Sequence, residues 1–130
     1  MFAENCHFDS PDLNMAMRFK TNPARGGYIE NIYLRDCTVK TAKYGIHITK
    51  RYGAGVTKDG DTDPAVRNID IRNSSFGHLT RGAIFIEGFS NDKIVTDVRI
   101  EDCVFESVSN PVVVTNAARV DIVNCSGITR

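Results

Sequence analysis

Short runs in which apolar and polar residues alternate recur along this chain. Ile32 and Leu34, Ile69 and Ile71, and Val98 and Ile100 are each separated by a single polar residue. That period of two is the signature of a strand with one buried face. Each run ends on Asn or Asp followed by Cys or Ser: Asn5-Cys6, Asp36-Cys37, Asn73-Ser74, Asp102-Cys103 and Asn124-Cys125. The full phrases are FAENCHF at 2–8, NIYLRDCTV at 31–39, NIDIRNSSF at 68–76, DVRIEDCVF at 97–105 and RVDIVNCSG at 119–127. Recurrence at intervals of roughly 20 to 40 residues is the range of a solenoid repeat.

Asn and Asp tolerate the left-handed backbone better than other residues with a side chain, so each pair can turn the chain sharply between two strands. A short second strand then ends in Val39, Phe76 or Phe105, and a third follows at 16–21, 45–49, 82–87 and 111–115. These units predict an all-β chain, a parallel β-helix of about five rungs of three short strands, with residues 1–130 as a single domain. The cysteines would stack in one interior column with Ser74 in the third place. They are read as buried free thiols, with a disulfide between neighbouring rungs as the alternative. The segment 51–64, rich in Gly, Asp and Lys, breaks the register and reads as an exposed loop. Asp59, Asp61 and Asp63 have the alternation of a calcium loop, but the late glutamate and flanking helices of an EF-hand are missing, so no metal site is expected.

Composition narrows the function classes. With 16 Lys+Arg against 16 Asp+Glu the formal charge is zero, which removes the basic footprint of a nucleic-acid-binding domain. No apolar run approaches the roughly 18 residues that would span a bilayer, and no signal peptide is visible at Met1. Four scattered cysteines without a C-x-x-C pair do not suggest zinc. No cofactor is expected. Any recognition of an anion must therefore be local.

One stretch is locally basic. In AMRFKT, Met17 and Phe19 face inward, so Arg18 and Lys20 share the outward face about 7 Å apart. Matching Ile46 and Ile48 with Met17 and Phe19 places His47 beside Arg18 and Thr49 beside Lys20, and Phe85 and Glu87 continue the two columns. A guanidinium fork beside an ammonium suits the carboxylates of an extended acidic ligand. The alternative is a solvated face whose cations pair with acids such as Glu87. Arg25 reads as a loop charge, Gly26 and Gly27 as a tight turn, and His7 and His78 as surface histidines.

RFKTNPARGGYIENIYLRDCTV resembles the R-I-K-T region of the polygalacturonase-like enzymes of glycoside hydrolase family 28, with Phe19 in place of the usual Ile. AKYGIHI at 42–48 is similar to the family segment that bears a functional tyrosine. The resemblance implies a right-handed, pectin-lyase-like solenoid and inverting hydrolysis of pectic chains. It implies that Arg18 and Lys20 hold galacturonate carboxylates and that Tyr44 contacts the sugar beside them. His47 stands where the family commonly has an aliphatic residue, and it is a further candidate substrate contact on its place beside Arg18 alone. The resemblance also implies an acidic, galacturonate-containing polysaccharide as partner, and a periplasmic or extracellular location for the parent family.

The family's catalytic carboxylates lie in N-T-D, D-D and G-H-G motifs, and none of these occurs in this chain. No catalytic residue is therefore assigned. The chain reads as the carboxy-terminal half of a longer solenoid, with an uncapped first rung expected to self-associate or to meet an upstream partner. Three functions remain open: the substrate-gripping part of a pectin hydrolase, inactive alone; a non-catalytic carbohydrate-binding or structural module; and a polysaccharide lyase.

Overall fold

In a computed structural model of the chain, which describes residues 1–10, 13–52, 60–108 and 111–128, every regular element is a β-strand. In chain order they are β1 (Phe2–Glu4), β2 (His7–Phe8), β3 (Met15–Lys20), β4 (Tyr28–Arg35), β5 (Thr38–Thr49), β6 (Ala65–Arg72), β7 (Ser75–Glu87), β8 (Val95–Glu101), β9 (Val104–Val108), β10 (Val112–Thr115) and β11 (Ala117–Val123). One sheet has the order β1-β4-β6-β8-β11. The other has β10-β7-β5-β2, with β3 also paired to β5 and β9 to β7. All these pairings are parallel.

The turn residues behave as their chemistry requires. Asn5, Asp36, Asn73, Asp102 and Asn124 all have positive φ, between 48° and 58°. Their side chains link into a ladder: Asn73 Nδ2 donates to Asp36 Oδ1 at 2.6 Å and Asn124 Nδ2 to Asp102 Oδ1 at 2.5 Å. A second left-handed column, which the alternation pattern does not reveal, lies inside the phrases at Asn31, Asn68, Asp97 and Arg119, with φ between 53° and 58°. Asn68 Nδ2 donates to Asn31 Oδ1 at 2.6 Å. Arg119 is sterically costly in this conformation, and it is held there by a bidentate pair with Asp97 at 2.6 and 3.0 Å.

Between the sheets, like residues stack in register. Ile32, Ile69 and Val98 form one column and Leu34, Ile71 and Ile100 another. The facing sheet contributes Ile46 with Ile84 and Ile48 with Ile86. Phe76 lies over Phe105 with ring centroids 4.7 Å apart and planes 5° from parallel. Ile46, Ile48, Ile71, Ile86 and Ile100 have no exposed surface, and burying each contributes about 1.5–3 kcal/mol.

The cysteine column forms around a repeated local bond. Each thiol donates to the carbonyl two residues back, as Cys37 does to Arg35 and Cys103 to Glu101, both at 3.4 Å. Ser74 makes the same bond to Arg72 at 3.0 Å and also accepts from Cys37 N at 3.2 Å. That shared bond is why a serine fits the column. All four cysteines are free thiols, and burial pushes Cys103 up to about 12, which keeps it protonated and unreactive.

One detail differs from the strand boundaries expected from alternation. In the second and third repeats the second and third strands do not separate. They run together as β5 and β7, and a register shift between Ala42 and Tyr44 marks the bend. The segment 51–64 lies partly outside the described residues, Asp59 among them, but its described ends are fastened. Lys50, 2% exposed, pairs with Asp63 at 3.2 Å. Thr62 N donates to Pro23 O at 3.0 Å. Among the described residues no group of His, Cys, Asp or Glu could hold a metal ion.

Candidate functional site

The alternation in β3 turns Met17 into the core and leaves Arg18 and Lys20 exposed. The register pairs Arg18 with His47 and Phe85, and Lys20 with Thr49 and Glu87. These two columns are the ones the alternation predicts.

The residue that organises the cations lies three positions beyond Thr49. Arg18 sits 5.1 Å from the centre of the Tyr52 ring, Lys20 Nζ 4.0 Å, and the Arg25 guanidinium 5.4 Å. Backbone clamps bring Tyr52 there. Its N–H donates to Thr21 O at 3.1 Å, and the buried Asn22 amide donates to Tyr52 O at 2.6 Å. The turn Asn22-Pro23-Ala24-Arg25, closed by Arg25 N to Asn22 O at 3.1 Å, has Pro where φ is pre-set and returns Arg25 toward the same ring. Arg25 is thus part of the cluster rather than an isolated loop charge.

Hydrogen bonding and charge from Lys20, with Arg18 and Arg25 adding, hold the Tyr52 phenol below its usual range. Among the described residues none of the three cations has an acidic partner within ion-pair distance. Glu87, the acid expected as their partner, instead accepts from Thr49 Oγ1 at 2.7 Å. Arg51 turns away, donating to Phe89 O at 2.7 Å. The arrangement is a tyrosine ringed by three positive charges with no carboxylate partner among the described residues. It suits a polyanion carrying flat carboxylates.

Tyr44 and His47 stand beside this cluster in a separate aromatic group. The bend after Ala42 brings the Tyr44 ring to 5.8 Å from His47 and 6.0 Å from Phe85. His47 is lowered to about 4, chiefly by burial and then by the Arg18 charge. Its Nδ1 is buried without a hydrogen-bond partner. The ring is therefore uncharged at neutral pH.

Over 78 residues the chain is 32% identical to a probable polygalacturonase from Vitis vinifera. The matched stretch is 58% of this chain and 16% of that protein, so the chain corresponds to a small part of its relative's length. The similarity suggests a polygalacturonase-like relationship at the family level. No family model matches the chain and no solved structure does.

The sequence reading did not single out Tyr52. The signal available was its position, three residues past a strand already aligned with Lys20, where a large ring can fold back over the cations.

Proposed function

We propose that this chain is the polysaccharide-gripping segment of a polygalacturonase-like, right-handed parallel β-helix, and that its ligand is an acidic pectic chain built on galacturonate. The observation that carries the reading is the convergence of Arg18, Lys20 and Arg25 on Tyr52 with no acidic partner among the described residues. The two arginines would take carboxylates bidentately and Lys20 would supply a point charge. Tyr52 holds the three cations together on one surface, and Tyr44 and His47 border it. The similarity to a probable polygalacturonase supports a pectic ligand, and the parent protein would act outside the cell or in the cell wall.

Inverting hydrolysis needs one carboxylic acid and a carboxylate base held roughly 6.5–9.5 Å apart across the scissile bond. The motifs that would supply them are missing from this sequence, so the chain binds without cleaving. The experiment is affinity electrophoresis in polygalacturonate, with reducing-end and ultraviolet product assays on the same samples. Retardation without either product is expected. Migration unaffected by polygalacturonate would defeat the reading, and an unsaturated product would replace it with a lyase.

A further inference from the structure

The face that carries the cations changes character along the direction that crosses the strands. The Arg18 column continues through His47 to Phe85, and the Lys20 column through Thr49 to Glu87. Two strand spacings separate Arg18 from Phe85 and Lys20 from Glu87, about 10 Å, a distance within reach of a short oligosaccharide, and one strand further the columns run on to Val113 and Thr115. At the near end the surface is cationic. Two strands away, at Phe85 and Glu87, it is aromatic and anionic.

The aromatic part is compact. His47 and Phe85 lie edge to face at 5.1 Å, and Tyr44 contacts both. Phe85 is partly exposed, so part of its ring is available to an apolar sugar face. Glu87 beside it is a fixed anion. One carboxylate oxygen accepts from Thr49 Oγ1 at 2.7 Å, and the same hydroxyl accepts from Arg51 N at 2.9 Å. Among the described residues no cation lies within ion-pair distance of Glu87.

We infer that Phe85 and Glu87 select the sugar that follows the uronate: a ring without a free carboxylate, either neutral or methyl-esterified. The inference rests on the acidic-polysaccharide reading above. An uncharged ring can lie on Phe85, while a free carboxylate at that position meets the like charge of Glu87, which among the described residues has no cation within ion-pair distance. The site is thus built for a mixed chain, charged at one position and uncharged about two strands away, rather than for uniformly ionised galacturonan.

The test is calorimetric titration of the 130-residue chain with tetragalacturonate and with its partially methyl-esterified counterpart. The wild-type chain should bind the esterified form more tightly. Glu87→Gln keeps an acceptor for Thr49 and should raise affinity for the free acid about three- to tenfold, the factor for one like-charge contact at a partly exposed position, while leaving the esterified form unchanged. Phe85→Leu, which keeps bulk in place, should weaken the esterified form. If Glu87→Gln binds both ligands as the wild type does, this inference is overturned and the cationic grip survives. If neither ligand binds the wild type, both fall together.

Discussion

Removing the carboxylate of Asp63 leaves the Lys50 ammonium without its partner. Lys50 is 2% exposed, and its Nζ lies 3.3 and 3.2 Å from the two Asp63 oxygens. Breaking a fully buried pair from one side costs about 3–5 kcal/mol because a charge is stranded in a poor solvent. The Asp63 side chain keeps 30% of its surface, so water can enter where it stood, and Asp63→Ala should cost about 2–3 kcal/mol. Lys50→Met removes the stranded charge and keeps the aliphatic bulk, so it should cost under about 1 kcal/mol. The double variant should resemble Lys50→Met, not the sum. Urea unfolding followed by circular dichroism reads all three. An Asp63→Ala loss below about 0.5 kcal/mol, or additive single losses, would refute the reasoning. The pair also matters to the site, because Lys50 N donates to Glu87 O at 2.9 Å and Tyr52 follows two residues later.

Three further outcomes are expected. Asn73 combines a φ of 48° with a 2.6 Å bond to Asp36, so Asn73→Ala should lower stability by about 1–2 kcal/mol and Asn73→Gly, free of the backbone strain, by less. Phe105→Ala empties a stacked position beside Phe76 and should lower stability by about 3–5 kcal/mol in the same assay. His47 is lowered to about 4 from the 6.5 usual for histidine, so below 6.5 the unfolded chain takes up the proton first. Stability should therefore fall as pH drops from 6.5 toward 4, by about 1–2 kcal/mol once solvent screening of the partly exposed ring is allowed for. A His47→Leu chain should show a shallower slope in paired urea titrations.

Much of this architecture is written in the residues because a strand repeats every two positions and stacked repeats keep register. Met17 and Phe19 matched to Ile46 and Ile48 suffice to place Arg18 beside His47 and Lys20 beside Thr49. The Asn or Asp at each phrase end is legible because few side chains tolerate a left-handed backbone. Other features lie outside what alternation can report. Arg119 shares that conformation with Asn31, Asn68 and Asp97 only because its guanidinium finds Asp97. Tyr44 and His47 lie three positions apart in β5, so alternation assigns them to opposite faces, yet their rings stack at 5.8 Å beside a register shift in which β7 carries an extra residue between Leu79 and Gly82. Tyr52 reaches the cations through backbone bonds to Thr21 and Asn22, contacts between segments that no local pattern encodes.

The grip of Arg18 and Lys20 on a uronate is the central claim, and titration of oligogalacturonate into wild-type, Arg18→Ala and Lys20→Ala chains tests it most directly. Each substitution removes a charge-assisted contact and should weaken binding about tenfold or more, with the wild-type affinity itself falling as salt is raised. Substituted chains that fold normally and bind oligogalacturonate as tightly as the wild type would contradict the account.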